Sequence, residues 1–72
     1  MKLQEYRKLR GLSREQFGQL VGVTGIQVWR WETGRSMPKP AVIDTIRAGT
    51  GGAVTAEDHH QAVRERANWQ AV

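Results

Sequence analysis

The sequence predicts an all-α fold, a compact five-helix domain spanning residues 1–72. Three observations predict it. Apolar residues recur at spacings of three and four, and no segment alternates apolar and polar residues as a half-buried strand would. Glycines and prolines cut the chain into pieces one helix long. Residues suited to open a helix stand at the heads of most of those pieces. With 72 residues and no cysteine, the thin core must come from helix packing, without help from disulfides or thiolate metal sites.

The first helix is expected from about Lys2 to Arg10, ending at Gly11, with Leu3 and Tyr6 inward and Lys2, Lys8 and Arg10 in solvent. Ser13 caps the second helix, and Gln16 three residues on completes a capping-box pattern. Phe17, Leu20 and Val21 form its apolar stripe. Gly22 ends it in a left-handed conformation that a side chain would disfavour. Thr24 caps a third helix, about Gly25 to Thr33, which stops at Gly34. So short a glycine-centred connection makes helices two and three meet at a steep angle. After a loop holding Pro38, the fourth helix runs from about Pro40 to Ala48, with Ala41, Val42 and Ile46 as core positions. "GTGG", Gly49 to Gly52, breaks it. Thr55, with Asp58 three residues on, caps a fifth helix over about residues 55–68. Its apolar content is low (Val63, Ala67, Trp69), so its end is expected to fray.

Charge is unevenly spread. Through Lys39, Lys2, Arg7, Lys8, Arg10, Arg14, Arg30, Arg35 and Lys39 stand against Glu5, Glu15 and Glu32, a net +5. From Pro40 onward three arginines face four acids, a net −1. The N-terminal half is the electropositive end, and a polyanion is its natural partner. No apolar run approaches the roughly 20 residues that span a bilayer, and no signal-peptide pattern precedes the first helix. The expected location is cytoplasmic, with nucleoid association.

The stretch "GIQVWRWETG", Gly25 to Gly34, carries two tryptophans two residues apart. On a helix they point about 200° apart, so one core cannot easily hold both. Thr24, Val28 and Trp31 share one side at i, i+4 and i+7, which marks the core side. Ile26, Trp29, Arg30 and Thr33 take the other, with Gln27 on the flank. An outward Ile-Trp-Arg face suits the major groove of DNA. Guanine O6 and N7 match Arg30, an adenine edge matches Gln27, and thymine methyls match Ile26. Gln27 has a competing use, because Thr24-x-x-Gln27 is also a capping-box spacing. Thr24, Arg35 and helix N-terminal amides suit the phosphate walls.

"LSREQFGQLVGVTGIQVWRWETGR", Leu12 to Arg35, resembles the helix-turn-helix core of the Cro/CI-type (XRE-like) DNA-binding regulators. Ser13, Phe17, Gly22, Val23, Thr24, Val28, Trp31, Glu32 and Gly34 match that pattern in order and spacing. With the first and fourth helices, the resemblance covers residues 3–48. "IRAGTGGAVTAED", Ile46 to Asp58, is also similar to the segment after the fourth helix in some small phage Cro-like repressors. The resemblance implies a Cro/CI repressor-like domain with its helix-turn-helix over about residues 13–33 and the third helix as the recognition helix. Its base-reading positions fall on Gly25, Ile26, Gln27 and Arg30. Its phosphate contacts fall on Arg14, Thr24 and the loop around Arg35 and Lys39. Trp29 is expected to add contact with the groove wall or backbone. The resemblance further implies a structural ion pair between Arg7 and Glu32. Two residues depart from the pattern. Gly18 stands where alanine is usual, a loss of about 1 kcal/mol in helix propensity. Gly25 stands where a side-chain donor is usual.

Nothing else in the sequence resembles a reaction centre. "EDHH", Glu57 to His60, lacks a second ligand at i+4 and reads as a solvated first turn whose acids favour the helix dipole. No catalytic residue, metal site or cofactor is expected. The predicted function is a sequence-specific regulator of transcription, a repressor acting by promoter occlusion. It would bind an inverted-repeat operator in double-stranded DNA as a homodimer, with Trp69 and its neighbours as candidate dimer contacts. The alternative is an antitoxin-like module that neutralises a protein partner, marked by the modest apolar tail of residues 61–72.

Overall fold

Capping chemistry sets where the second and third helices begin. The computed structural model describes the backbone of residues 1–71 and the side chains of residues 1–68. It contains α1 (Leu3–Leu9), α2 (Arg14–Val21), α3 (Gly25–Glu32), α4 (Pro40–Gly49) and α5 (Ala56–Ala71), with no strand among the described residues. The Ser13 hydroxyl accepts the Gln16 N–H at 3.0 Å, while Gln16 Oε1 accepts the Ser13 N–H at 2.8 Å. Thr24 and Gln27 repeat that reciprocal pair at the head of α3, both bonds at 3.3 Å. Each pair satisfies backbone donors that a helix start leaves without partners. Between them Gly22 takes φ 79°, the left-handed turn that ends α2 and aims the chain into α3.

The core consists of Leu3, Phe17, Val28, Trp31, Ile46 and Val54, ringed by Tyr6, Leu12, Val21, Val23 and Val42. Val28, Ile46 and Val54 are fully enclosed. Val54 comes from the α4–α5 loop, whose path is held by Thr50. That hydroxyl donates to the Ile46 carbonyl at 2.8 Å and accepts the Val54 N–H at 3.1 Å.

Three expected placements are corrected. Leu20 is 70% exposed rather than inward. The buried face of α2 is centred on Phe17, Gly18 and Val21, because the Val23–Thr24 turn leading into α3 presses against the Gly18 side. At about 100° per residue, Leu20 then rotates into solvent. Ala41 is likewise exposed, since α4 turns Val42, Ile46 and the following Thr50 toward the core. His59, expected in a solvated turn, is 3% exposed. It lines a small cavity with Leu3, Trp31 and Ala62, where α5 closes over α1 and α3.

Gly34 allows that closure. It has φ 73°, and a Cβ there would collide with the backbone of Ala62. At the head of α5 the Asp58 carboxylate accepts the Thr55 N–H at 2.8 Å and its hydroxyl at 3.1 Å. The helix extends past the expected residue 68 to Ala71. The side chain of Trp69, assigned to the dimer seam, lies outside the described residues, as does Val72.

Candidate nucleic-acid interface

The two tryptophans of α3 separate as the helical spacing requires. Trp31 is 6% exposed and packs with Val28, whereas Ile26 is 64% and Trp29 36% exposed. Ile26, Gln27, Trp29 and Arg30 therefore line one outward surface of a helix whose opposite face is locked into the core.

Beyond α3 the chain folds back over the helix end. The Arg35 N–H donates to the Arg30 carbonyl at 2.9 Å, and the Thr33 hydroxyl donates to the Trp29 carbonyl at 2.8 Å. This return brings the Arg35 guanidinium 4.3 Å from the centre of the Trp29 ring. Stacking of this kind limits the rotamers of a long flexible cation. On the flank nearer α4, Gln27 and Arg30 share a cleft with Ser36, Met37, Pro38 and Lys39. The structure thus groups Gln27, Arg30 and Lys39 together, and Trp29 with Arg35 separately. Gln27 Oε1 is engaged in the Thr24 cap, so a two-bond contact with adenine, which needs that oxygen, competes with the cap.

Glu32 ties three helices together. Its side chain is 1% exposed and accepts from Arg7 Nε at 2.7 Å, Arg7 Nη2 at 3.3 Å and Arg14 Nε at 3.1 Å. Arg7 also donates to the Leu12 carbonyl at 3.0 Å. A carboxylate so enclosed would cost several kcal/mol without partners. With two arginines the cluster keeps a net positive charge beside α3. Arg14, expected at a phosphate, is therefore drawn partly inward, its side chain 37% exposed.

The family model described as a helix-turn-helix domain matches residues 1–58. The chain belongs to this family. The helix-turn-helix domain is a DNA-binding domain of the Cro/CI (XRE-like) type, with α2 and α3 as the motif itself. No curated protein and no solved structure matches the chain.

Outside the α3 surface, one buried side chain stands apart among the described residues. His59 Nε2 is buried without a hydrogen-bond partner among the described residues. Burial pushes the imidazole pKa below its ordinary value; Asp58 pulls it upward and His60 opposes that pull. For Asp58 itself, burial disfavours the charged form. The bonds from Thr55 and the amino group of Met1 outweigh that penalty and hold its pKa low. No group of three His, Cys, Asp or Glu side chains suited to a metal occurs among the described residues. Among those residues no helix is long and apolar enough to cross a membrane.

Glu15 escaped the sequence reading. Its carboxylate lies over Gly25, the first residue of α3. Nothing in the sequence signals this. The two residues stand on different helices, and only the angle between those helices brings them together.

Proposed function

We propose that this domain is a sequence-specific repressor that occludes promoters, with α3 seated in the major groove of double-stranded DNA. The observation that carries this reading is the outward Ile26, Gln27 and Arg30 surface on a helix whose other face is fixed by Val28 and Trp31. Arg30 reads guanine O6 and N7, Ile26 meets thymine methyls, and Gln27 divides its amide between the Thr24 cap and a base edge. Thr24, Trp29, Arg35 and Lys39 contact sugar and phosphate, with the free edge of the Arg14 guanidinium beside them. Arg7 and Glu32 act behind the interface by keeping α1 and α3 in register. The protein works in the cytoplasm on nucleoid DNA.

One recognition helix reads about four or five base pairs, too few for useful specificity, so binding is by a homodimer on an inverted repeat. Half-site centres then lie about one helical turn, roughly 34 Å, apart. Selection from a pool of random duplexes tests both parts of the proposal. An enriched inverted repeat is expected. Enrichment of single asymmetric half-sites, each bound by one protomer, would overturn the dimer. No enrichment at all would overturn sequence-specific binding.

A further inference from the structure

We propose that Glu15 reads a cytosine in the operator from the space left open by Gly25; the inference rests on the function proposed above. A Cβ built on Gly25 would lie 2.8 Å from Glu15 Oε1, 2.9 Å from Cδ and 3.1 Å from Cγ. The carboxylate thus fills the volume that a side chain at the leading position of the recognition helix would occupy. Its neighbour along α3 is the exposed Ile26. Glu15 is itself exposed and forms no ion pair among the described residues. Glu32, Glu57, Asp58 and Glu65 each hold a cationic partner and, among the described residues, Glu5 and Asp44 do not, so it is the place over Gly25 that sets Glu15 apart.

An acid at the head of α3 is favoured by the helix dipole, which accounts for its place but asks nothing of the DNA sequence. Against bound DNA the same charge is repelled by phosphates unless it meets a donor. A carboxylate only accepts hydrogen bonds. Guanine shows it N7 and O6 and thymine shows it O4, all acceptors; adenine sets its N6 amino group beside the acceptor N7. Cytosine offers the N4 amino group with no acceptor on its own groove edge, its second hydrogen free of the bond to guanine O6, and is the base this carboxylate selects.

The experiment is duplex selection with the parent, Glu15→Gln, Glu15→Ala and Gly25→Ala, each checked for folding by circular dichroism. The parent is expected to enrich cytosine at one position in each half-site. Glu15→Gln should move that preference to adenine, because an amide donates to N7 and accepts from N6. Glu15→Ala should lose about tenfold discrimination at that position only, while binding random DNA more tightly. Gly25 has no positive φ, so alanine fits the helix and displaces only the end of a flexible side chain. Gly25→Ala should therefore relax the same position, and add nothing further when combined with Glu15→Ala. If Glu15→Ala selects the parent sequence unchanged, the cytosine assignment is overturned and the repressor reading stands. If the parent enriches no sequence, both fall.

Discussion

Replacing Gly18 by alanine sets two opposed effects against each other, and the structure decides which wins. Helix propensity favours alanine over glycine inside a helix by about 1 kcal/mol. Against that, a Cβ on Gly18 would collide with the Val23 carbonyl oxygen and lie 3.2 Å from the carbonyl carbon and oxygen of Thr24. These are backbone atoms with little freedom. The Val23 N–H is bonded to the Gly18 carbonyl at 2.8 Å, and Thr24 is held by the α3 capping pair. Moving them shifts α3 and opens the core around Val28, which is fully enclosed. Overpacking of this kind costs about 1–3 kcal/mol, and the immobility of the neighbours argues for the upper part of that range. The net loss is then about 1–2 kcal/mol, which in so small a domain lowers Tm by roughly 5–15 °C. Gly49→Ala is the matched control. It lies in α4, is exposed, has no positive φ, and a Cβ there meets nothing within 4 Å. That variant should gain a few tenths to about 1 kcal/mol. Thermal melts followed by circular dichroism, with urea titrations alongside, measure both. A Gly18→Ala protein melting at or above the parent would refute the close-approach argument.

The two tryptophans should behave oppositely. Trp31→Ala empties the core at a cost of about 3–5 kcal/mol and should leave the chain largely unfolded by circular dichroism, whereas Trp29→Ala should melt within a few degrees of the parent and bind operator DNA more weakly. The reverse pattern would mean that the α3 register is wrong. Arg35→Ala and Lys39→Ala should each weaken binding to all sequences and reduce the salt slope by about one unit. Arg30→Ala should instead cost about 1–3 kcal/mol on the best site and relax one base pair; equal losses on specific and random DNA would remove it as a base reader. Acid should destabilise the domain through His59. The unfolded imidazole takes up a proton near the ordinary histidine value of 6.5, while the folded one resists it, so stability present above that pH is lost as pH falls toward the lower folded pKa. Melts at pH 7 and pH 5, compared with His59→Leu, test this; an equal loss in the variant would exclude the histidine as the cause.

Much of the fold was legible because its signals act over one turn of chain. The Ser13–Gln16 and Thr24–Gln27 caps span three residues, and the left-handed Gly22 turn needs only its own missing side chain. The burial of Trp31 and exposure of Trp29 follow from 100° steps along a single helix, so the Ile26, Gln27 and Arg30 surface could be assigned without tertiary contacts. What escaped the sequence depends on how one helix lies against another. Leu20 and Phe17 are both large and apolar, and it is the close seating of the Val23–Thr24 turn on Gly18 that turns one outward and the other inward. The sequence assigned Gly18 a propensity penalty, whereas the packed helices make its missing side chain a requirement. Arg14 turns toward Glu32, eighteen positions along the chain, because that buried carboxylate has room for a second cation. His59 becomes a core residue only when α5 closes over Trp31, and Glu15 reaches Gly25 only through the angle set at Gly22. Local periodicity determined which surface α3 presents; the angles and distances between helices decided which polar groups stand beside it, because burial and pairing are properties of two surfaces and a sequence spells out one at a time.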